Sequence, residues 1–160
     1  MIDLSAGDKL AICGTGHRPN KLGDYFGRDL VTLAIKHLSS HNGNVISGMA
    51  LGWDTALAQA ALELALPLVA AVPFPDQDAA WRPGDRALYR SILHRATKVE
   101  IVSPGYVLGA YQRRNEWMVD RSYKVLALHN GTSGGTLNCI RYANRRGVPV
   151  DNLWNEWVAK

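Results

Sequence analysis

The sequence predicts an α/β fold: a Rossmann-like, doubly wound, mostly parallel sheet with helices on both faces. Three observations predict it. Short apolar runs of strand length alternate along the chain with helix-period stretches. Each helical stretch is long enough to carry a right-handed crossover between parallel strands. Glycine clusters follow three of the strands, at what would be one edge of such a sheet.

The elements follow in order. Lys9 to Cys13 reads as a short buried strand. Asp29 to Leu38 reads as a helix, with Leu30, Leu33, Ala34 and Leu38 at helical spacing and His37 interrupting that face. His41-Asn42-Gly43 ends it. Asn44 to Ser47 is a strand. Trp53 to Ala65 is a helix, with Ala56, Leu57, Ala60, Ala61 and Leu64 on one face. Pro67 to Val72 is a strand that Pro73-Phe74-Pro75 stops. Asp85 to Ala96 is a helix, Lys98 to Ser103 a strand, Tyr111 to Arg121 a helix and Lys124 to His129 a strand. Thr136 to Arg146 is a helix ended by Gly147, and Val148 to Val150 a last strand. Leu153, Trp154 and Trp157 are expected to pack back on the body. Pro75 to Gly84 is the longest irregular piece, either a mobile lid or an ordered surface connection.

The 160 residues suit a single domain, expected to span 1–160, with a core that needs no disulfide or metal staple. A composition 47% hydrophobic and 20% charged excludes a disordered chain, a collagen-like repeat and a coiled coil. The net charge of +4 permits nucleic acid or phosphorylated small molecules as partners and demands neither. Cys13 and Cys139 lie far apart and outside any C-x-x-C pair, which fits a reduced, cytoplasmic protein. Met1 to Leu10 carries no secretory pattern. The longest apolar stretch, Leu64 to Phe74, is too short to span a bilayer, so no membrane role is expected.

The glycine clusters are Cys13-Gly14-Thr15-Gly16-His17-Arg18-Pro19, Ser47-Gly48-Met49-Ala50-Leu51-Gly52-Trp53-Asp54 and Asn130-Gly131-Thr132-Ser133-Gly134-Gly135-Thr136. In a parallel sheet all three emerge at the carboxyl ends of the strands, where open α/β sheets bind ligands. Glycine allows positive φ and close backbone approach. The helix that follows offers unpaired N–H groups and partial positive charge, which suits phosphate. Thr132, Ser133 and Thr136 add hydroxyl donors. Neither a P-loop nor a complete G-x-G-x-x-G is present.

With Pro73-Phe74-Pro75, Gln77, Trp81 and Tyr111-Gln112-Arg113-Arg114-Asn115-Glu116-Trp117-Met118, these clusters cover nearly the whole chain. In this order they resemble the YpsA-like branch of the SMF/DprA–LOG (SLOG) superfamily. The resemblance implies a Rossmann-like domain that binds nucleotides or nucleotide-derived ligands. It also implies a possible homodimer through helices beside the site. The Lonely Guy cousins are phosphoribohydrolases that use an arginine on one helix and a glutamate after a glycine-rich loop. By similarity Arg114 takes the arginine position. No glutamate follows Thr136; Asn138 stands nearby and cannot supply its charge to an oxocarbenium-like state.

Each candidate has a plainer role beside the functional one. Arg114 can fork onto a phosphate or sit as a solvated charge. Arg113 diverges from it by about 100° on a helix and has Glu116 as a ready ion-pair partner. Glu116 can bind ribose or replace the missing carboxylate, and does not share a face with Arg114. Asp54 can bind ribose, act as a base or merely cap its helix. His17 is an acid–base candidate or a structural histidine, and Arg18 can meet an anion. Ligand contact is thus expected from Gly14, Thr15, Gly16, His17, Arg18, Ser47, Gly48, Gly52, Trp53, Asp54, Pro73, Arg114, and Asn130, Gly131, Thr132, Ser133, Gly134, Gly135 and Thr136. Trp53, Trp81, Trp117 or Tyr111 can stack on a base, though core packing is the commoner role. No metal-ligand set is legible; His37 and His41 lack a third ligand, and Mg²⁺ can accompany a phosphorylated ligand. A DNA-binding module is the weakest reading, because no basic stripe runs along the chain.

Overall fold

A computed structural model of the chain describes residues 10–23 and 27–159. Six parallel strands form one sheet in the order β4-β3-β2-β1-β5-β6. They are β1 (Ala11–Gly16), β2 (Val45–Ser47), β3 (Leu68–Val72), β4 (Lys98–Ile101), β5 (Ser122–Leu128) and β6 (Val150–Asn152). The helices are α1 (Gly27–Leu38), α2 (Trp53–Glu63), α3 (Pro83–Arg95), α4 (Ala110–Asp120), α5 (Gly135–Arg145) and α6 (Trp154–Val158). A single 3-10 turn, Pro19–Lys21, follows β1. The chain winds outward from β1 to β4, returns beside β1 as β5, and ends at β6. The direction reverses between β1 and β5, and that is where a crevice opens.

Period-two alternation divides the strands between two cores. Ile12, Val45, Leu68, Ala70, Leu126 and Leu128 pack against residues of α1, α2, α3 and α6. Ala11, Cys13, Ile46, Val69, Ala71 and Val125 pack against Met118 and Val119 of α4 and Cys139 and Ala143 of α5. Both faces are therefore covered over the central strands, as a parallel sheet requires. Cys13 and Cys139 are both free and buried.

The expected elements are present, with shifted ends. β1 runs through Gly16 because Gly14, Thr15 and Gly16 pair with Leu126, Ala127 and Leu128 of β5. Lys9, the expected first residue of that strand, lies outside the described residues, as does all but the last residue of the Met1 to Leu10 stretch. β6 begins two residues late, because Val148 is drawn into the core while Asp151 and Asn152 pair with β5. α3 starts at Pro83, whose missing N–H costs nothing in a first turn. The segment Pro75 to Gly84 is an ordered connection. Gln77 and Asp78 are buried within it, and Asp78 Oδ2 accepts from Arg86 (3.5 Å) and Arg90 (3.4 Å). Leu153 and Trp157 are buried against the body, with Trp154 partly so.

Candidate functional site

The first loop leaves β1 at Gly16. His17 is buried, and its Nε2 lies 2.8 Å from Asn130 Oδ1 and 2.9 Å from the Asn130 nitrogen. It thereby ties the β1 loop to the β5 loop across the switch point. Burial pulls the His17 imidazole below its ordinary value, so its neutral form is favoured. Lys21, at the end of the 3-10 turn, donates to Thr132 Oγ1 at 3.1 Å and makes a second tie.

The second loop is held from inside. Ser47 Oγ donates to the Asp54 carbonyl (2.7 Å) and accepts from the Met49 N–H (3.1 Å). Gly52 has φ of 92°, and a Cβ there would lie 2.5 Å from the His17 carbonyl oxygen, so only glycine lets the first two loops touch. Asp54, in the first turn of α2, is buried. Its Oδ2 accepts from the Ala50 N–H at 3.3 Å, while Oδ1 is buried without a hydrogen-bond partner. Burial pushes the Asp54 carboxyl up from its ordinary value, and the nearby Arg114 charge offsets part of that.

Arg114 is only 5% exposed, so the solvated alternative is excluded. It donates to the Gly48 carbonyl and, through Nε, to Asn115 Oδ1 at 3.0 Å. Burial lowers its proton affinity and the Asp54 charge raises it. A Cβ at Gly48 would lie 2.6 Å from the Arg114 guanidinium, so that glycine makes room for the arginine.

The third loop forms the outer wall. Asn130 Oδ1 accepts from the Thr132 N–H (3.1 Å) and hydroxyl (2.7 Å), folding the loop on itself. Gly134, at φ of 139°, caps α5, and neither Gly134 nor Gly135 has an atom within 4 Å of where a Cβ would stand. The start of α5 therefore faces open space.

Together these loops enclose a cleft of about 430 Å³. Of the expected residues, Thr15, Gly16, His17, Arg18, Asp54, Arg114, Thr132, Ser133, Gly134, Gly135 and Thr136 line it. Gly14, Ser47, Gly48, Gly52, Trp53, Pro73, Asn130 and Gly131 do not; most of them shape the loops from behind. Trp53 is wholly buried, bonds the Leu126 carbonyl through Nε1 at 3.1 Å, and fills the space that Gly14 and Gly16 leave. It is a packing residue and cannot stack on a ligand. Trp81 packs on Tyr89 (5.1 Å), and Trp117 lies under Arg121 (4.2 Å).

Glu116 is also off the wall. It sits about 200° around α4 from Arg114 and accepts from Gln112 at 3.2 Å. Gln112, rather than Arg113, is thus its hydrogen-bonding partner. Among the described residues no group of three or more His, Cys, Asp or Glu could hold a metal ion. His37 instead meets Glu156 (2.8 Å), and His41 meets the Asn44 carbonyl (2.9 Å).

Sequence reasoning missed Asn20, Lys21, Ala50 and Asn115 on the wall. Lys21 had a signal: a cation placed one turn beyond a glycine loop, after Pro19 at the first position of that turn. Tyr111 is the aromatic that does reach the cleft, with the Arg18 and Arg114 guanidinium carbons 5.8 and 5.9 Å from its ring centre.

No helix among the described residues is long and apolar enough to cross a membrane. The chain is 32% identical over 117 residues to the uncharacterized SPbeta prophage-derived protein YoqJ of Bacillus subtilis (strain 168), covering 62% of this chain and 68% of that protein. The fold is similar to that of DNA processing protein A (DprA) from Streptococcus pneumoniae. The TM-score is 0.66 at 18% identity, covering 91% of this chain and 50% of that one. DNA processing protein A from Helicobacter pylori gives a TM-score of 0.65 at 18% identity, covering 96% of this chain and 74% of that one. The chain thus spans half the length of the Streptococcus protein. A family model described as DNA recombination-mediator protein A matches residues 2–155, and the chain belongs to that family.

Proposed function

We propose that the cleft binds a nucleotide or nucleotide-derived ligand, held by its phosphate groups. The observation that carries this reading is the unobstructed start of α5. Thr132, Ser133 and Thr136 flank it, and Arg18 and Lys21 line the same cleft. First-turn N–H groups lack intrahelical partners, and a phosphate supplies both the acceptors and the charge they favour. Tyr111 offers a ring to a base, and Asp54 lies on the same cleft wall. The finer placement in the YpsA-like branch rests on the motifs alone.

Two other readings have one observation each. Among the described residues Asp54 is the one carboxylate on the cleft wall, which favours a nucleoside-phosphate N-glycosidase in which Asp54, not Glu116, takes the role of the missing glutamate. The Helicobacter relative is described by its single-stranded DNA binding mode, which favours a strand whose backbone phosphate occupies the same cleft.

Thermal unfolding against nucleoside mono-, di- and triphosphates, dinucleotides, ADP-ribose and short single-stranded DNA separates them. A ligand at about 100 times its Kd contributes about 2.7 kcal/mol. For a chain of this size that is a shift of roughly 5–10 °C. A selective shift with a mononucleotide supports the proposal, and freed base in the same mixture supports the glycosidase. A shift with DNA alone that collapses steeply with salt supports the strand. No shift with any nucleotide overturns the proposal.

A further inference from the structure

We propose that His17 is a positioning residue for the third loop, a proton-operated latch that holds Asn130 and Thr132 when Nε2 is bare and releases them when Nε2 is protonated. Its effect on a ligand rests on the phosphate reading of the cleft, whereas the latch itself belongs to the loops alone.

The donors and acceptors around Nε2 cannot all be served at once. The Asn130 N–H points at it from 2.9 Å, and Asn130 Oδ1 stands 2.8 Å away. That oxygen already takes two donors, the Thr132 N–H at 3.1 Å and the Thr132 hydroxyl at 2.7 Å. Thr132 Oγ1 in turn accepts from Lys21 Nζ at 3.1 Å. A carbonyl oxygen has two lone pairs, so Oδ1 is filled without the histidine. Among the described residues Nε2 is the acceptor that the Asn130 N–H has. Nε2 therefore offers its lone pair to Asn130, and the ring's one proton sits on Nδ1.

Protonation reverses the fit. A proton on Nε2 meets the Asn130 N–H donor to donor and has only Oδ1 to turn to. To accept that bond, Oδ1 must give up one of its Thr132 donors, and the Asn130 N–H loses its own acceptor. The turn that ends at the start of α5 is then untied at both residues, on the wall where a phosphate would sit.

The surroundings resist that proton. The His129 ring, at the end of β5, lies 5.2 Å from the His17 ring, and Trp154 of α6 meets it edge-on at 5.8 Å. His129 Nε2 is 2.7 Å from the Thr132 carbonyl, which only accepts, so that nitrogen carries a proton. Further round the cleft Asp54 and Arg114 offset each other's charge, and Arg18 lies over Tyr111. Burial, aided by His129 and Lys21 and opposed by the Asn130 side chain, holds His17 below its ordinary 6.5. The latch is therefore shut at neutral pH and opens in acid.

NMR of the full chain, titrated from neutral pH into acid, reads the latch without any ligand. At neutral pH the His17 ring should carry its proton on Nδ1, and the Asn130 and Thr132 amides should be protected from exchange. Acid should shift both amides with the midpoint of the His17 ring. Their protection factors should fall by about fivefold or more, the worth of one hydrogen bond. His17→Gln sets an amide oxygen near the place of Nε2, so it keeps an acceptor for Asn130 and removes the titration. Its two amides should stay protected through the same range. His129→Gln should keep the step and raise its midpoint, because a neighbouring charge is gone. A proton on Nε2 at neutral pH, loop amides that ignore the His17 titration, a step that survives in His17→Gln, or one that vanishes in His129→Gln would each overturn the proposal. None of these readouts uses a nucleotide, so a failure of the latch is distinct from a failure of the nucleotide reading.

Discussion

Gly16→Ala separates a packing role from a ligand role for the glycines of the first loop. A Cβ at Gly16 would lie 2.5 Å from Trp53 Cβ and Cδ1 and 2.6 Å from Cγ. Ordinary carbon contacts need about 3.5–4.0 Å, so roughly 1 Å of separation must be found. Trp53 cannot supply it by swinging away, since it is wholly buried and its indole N–H is bonded to the Leu126 carbonyl on β5. The substitution must push α2 off β1 or bend the strand. Overpacking of this kind costs about 2–3 kcal/mol, toward the upper end of its usual range. At about 2–4 °C per kcal/mol for a chain of this length, Tm should fall by roughly 4–12 °C. Gly135→Ala is the control. It meets no atom within 4 Å and stands in the first turn of α5, so Tm should hold or rise slightly. The assay is thermal unfolding of the three proteins at one protein concentration. A Gly16→Ala protein within about a degree of wild type would refute the packing argument.

Other outcomes follow from the same geometry. Arg114→Ala should weaken phosphorylated ligands far more than the matching nucleosides in calorimetric titration, and equal losses would argue against a phosphate contact. Gly134→Val should cut ligand affinity, because a side chain at φ of 139° strains the cap and fills the space before α5; unchanged affinity would sink the close approach proposed there. Asp54→Asn should change the pH dependence of stability. Burial raises the folded-state carboxyl above its unfolded value of about 3.8, so wild type loses stability relative to the variant as pH rises from there through the folded-state value, and the gap then levels off. Denaturant midpoints that run parallel for the two proteins from acid to neutral pH would contradict the buried, raised carboxyl.

Much of this architecture was legible in the chain because local chemistry is periodic. Leu30, Leu33, Ala34 and Leu38 mark one helix face whatever they pack against, and all four are buried. Glycine clusters after strands point to the carboxyl edge of a parallel sheet for a topological reason, independent of contacts. The sequence therefore sufficed for the fold class, the helix and strand order, and the edge at which the loops gather.

What each loop residue does is a different matter. Gly16 and Gly134 look alike in sequence, yet one faces Trp53 and the other faces open space. Arg113 and Arg114 are neighbours of one type, and only the rotation of α4 against the sheet buries the second beneath the Gly48 carbonyl. Glu116 and Asp54 were equal candidates until helix geometry turned one away and set the other, with an unpaired oxygen, on the cleft wall. Lys21 joined the site through a contact with Thr132, 111 residues away in sequence. Periodicity and turn chemistry act over a few residues, so the sequence by itself determined the elements and their order. Which side chains share the cleft depends on long-range packing across the β1–β5 switch point, and only the tertiary structure decided that.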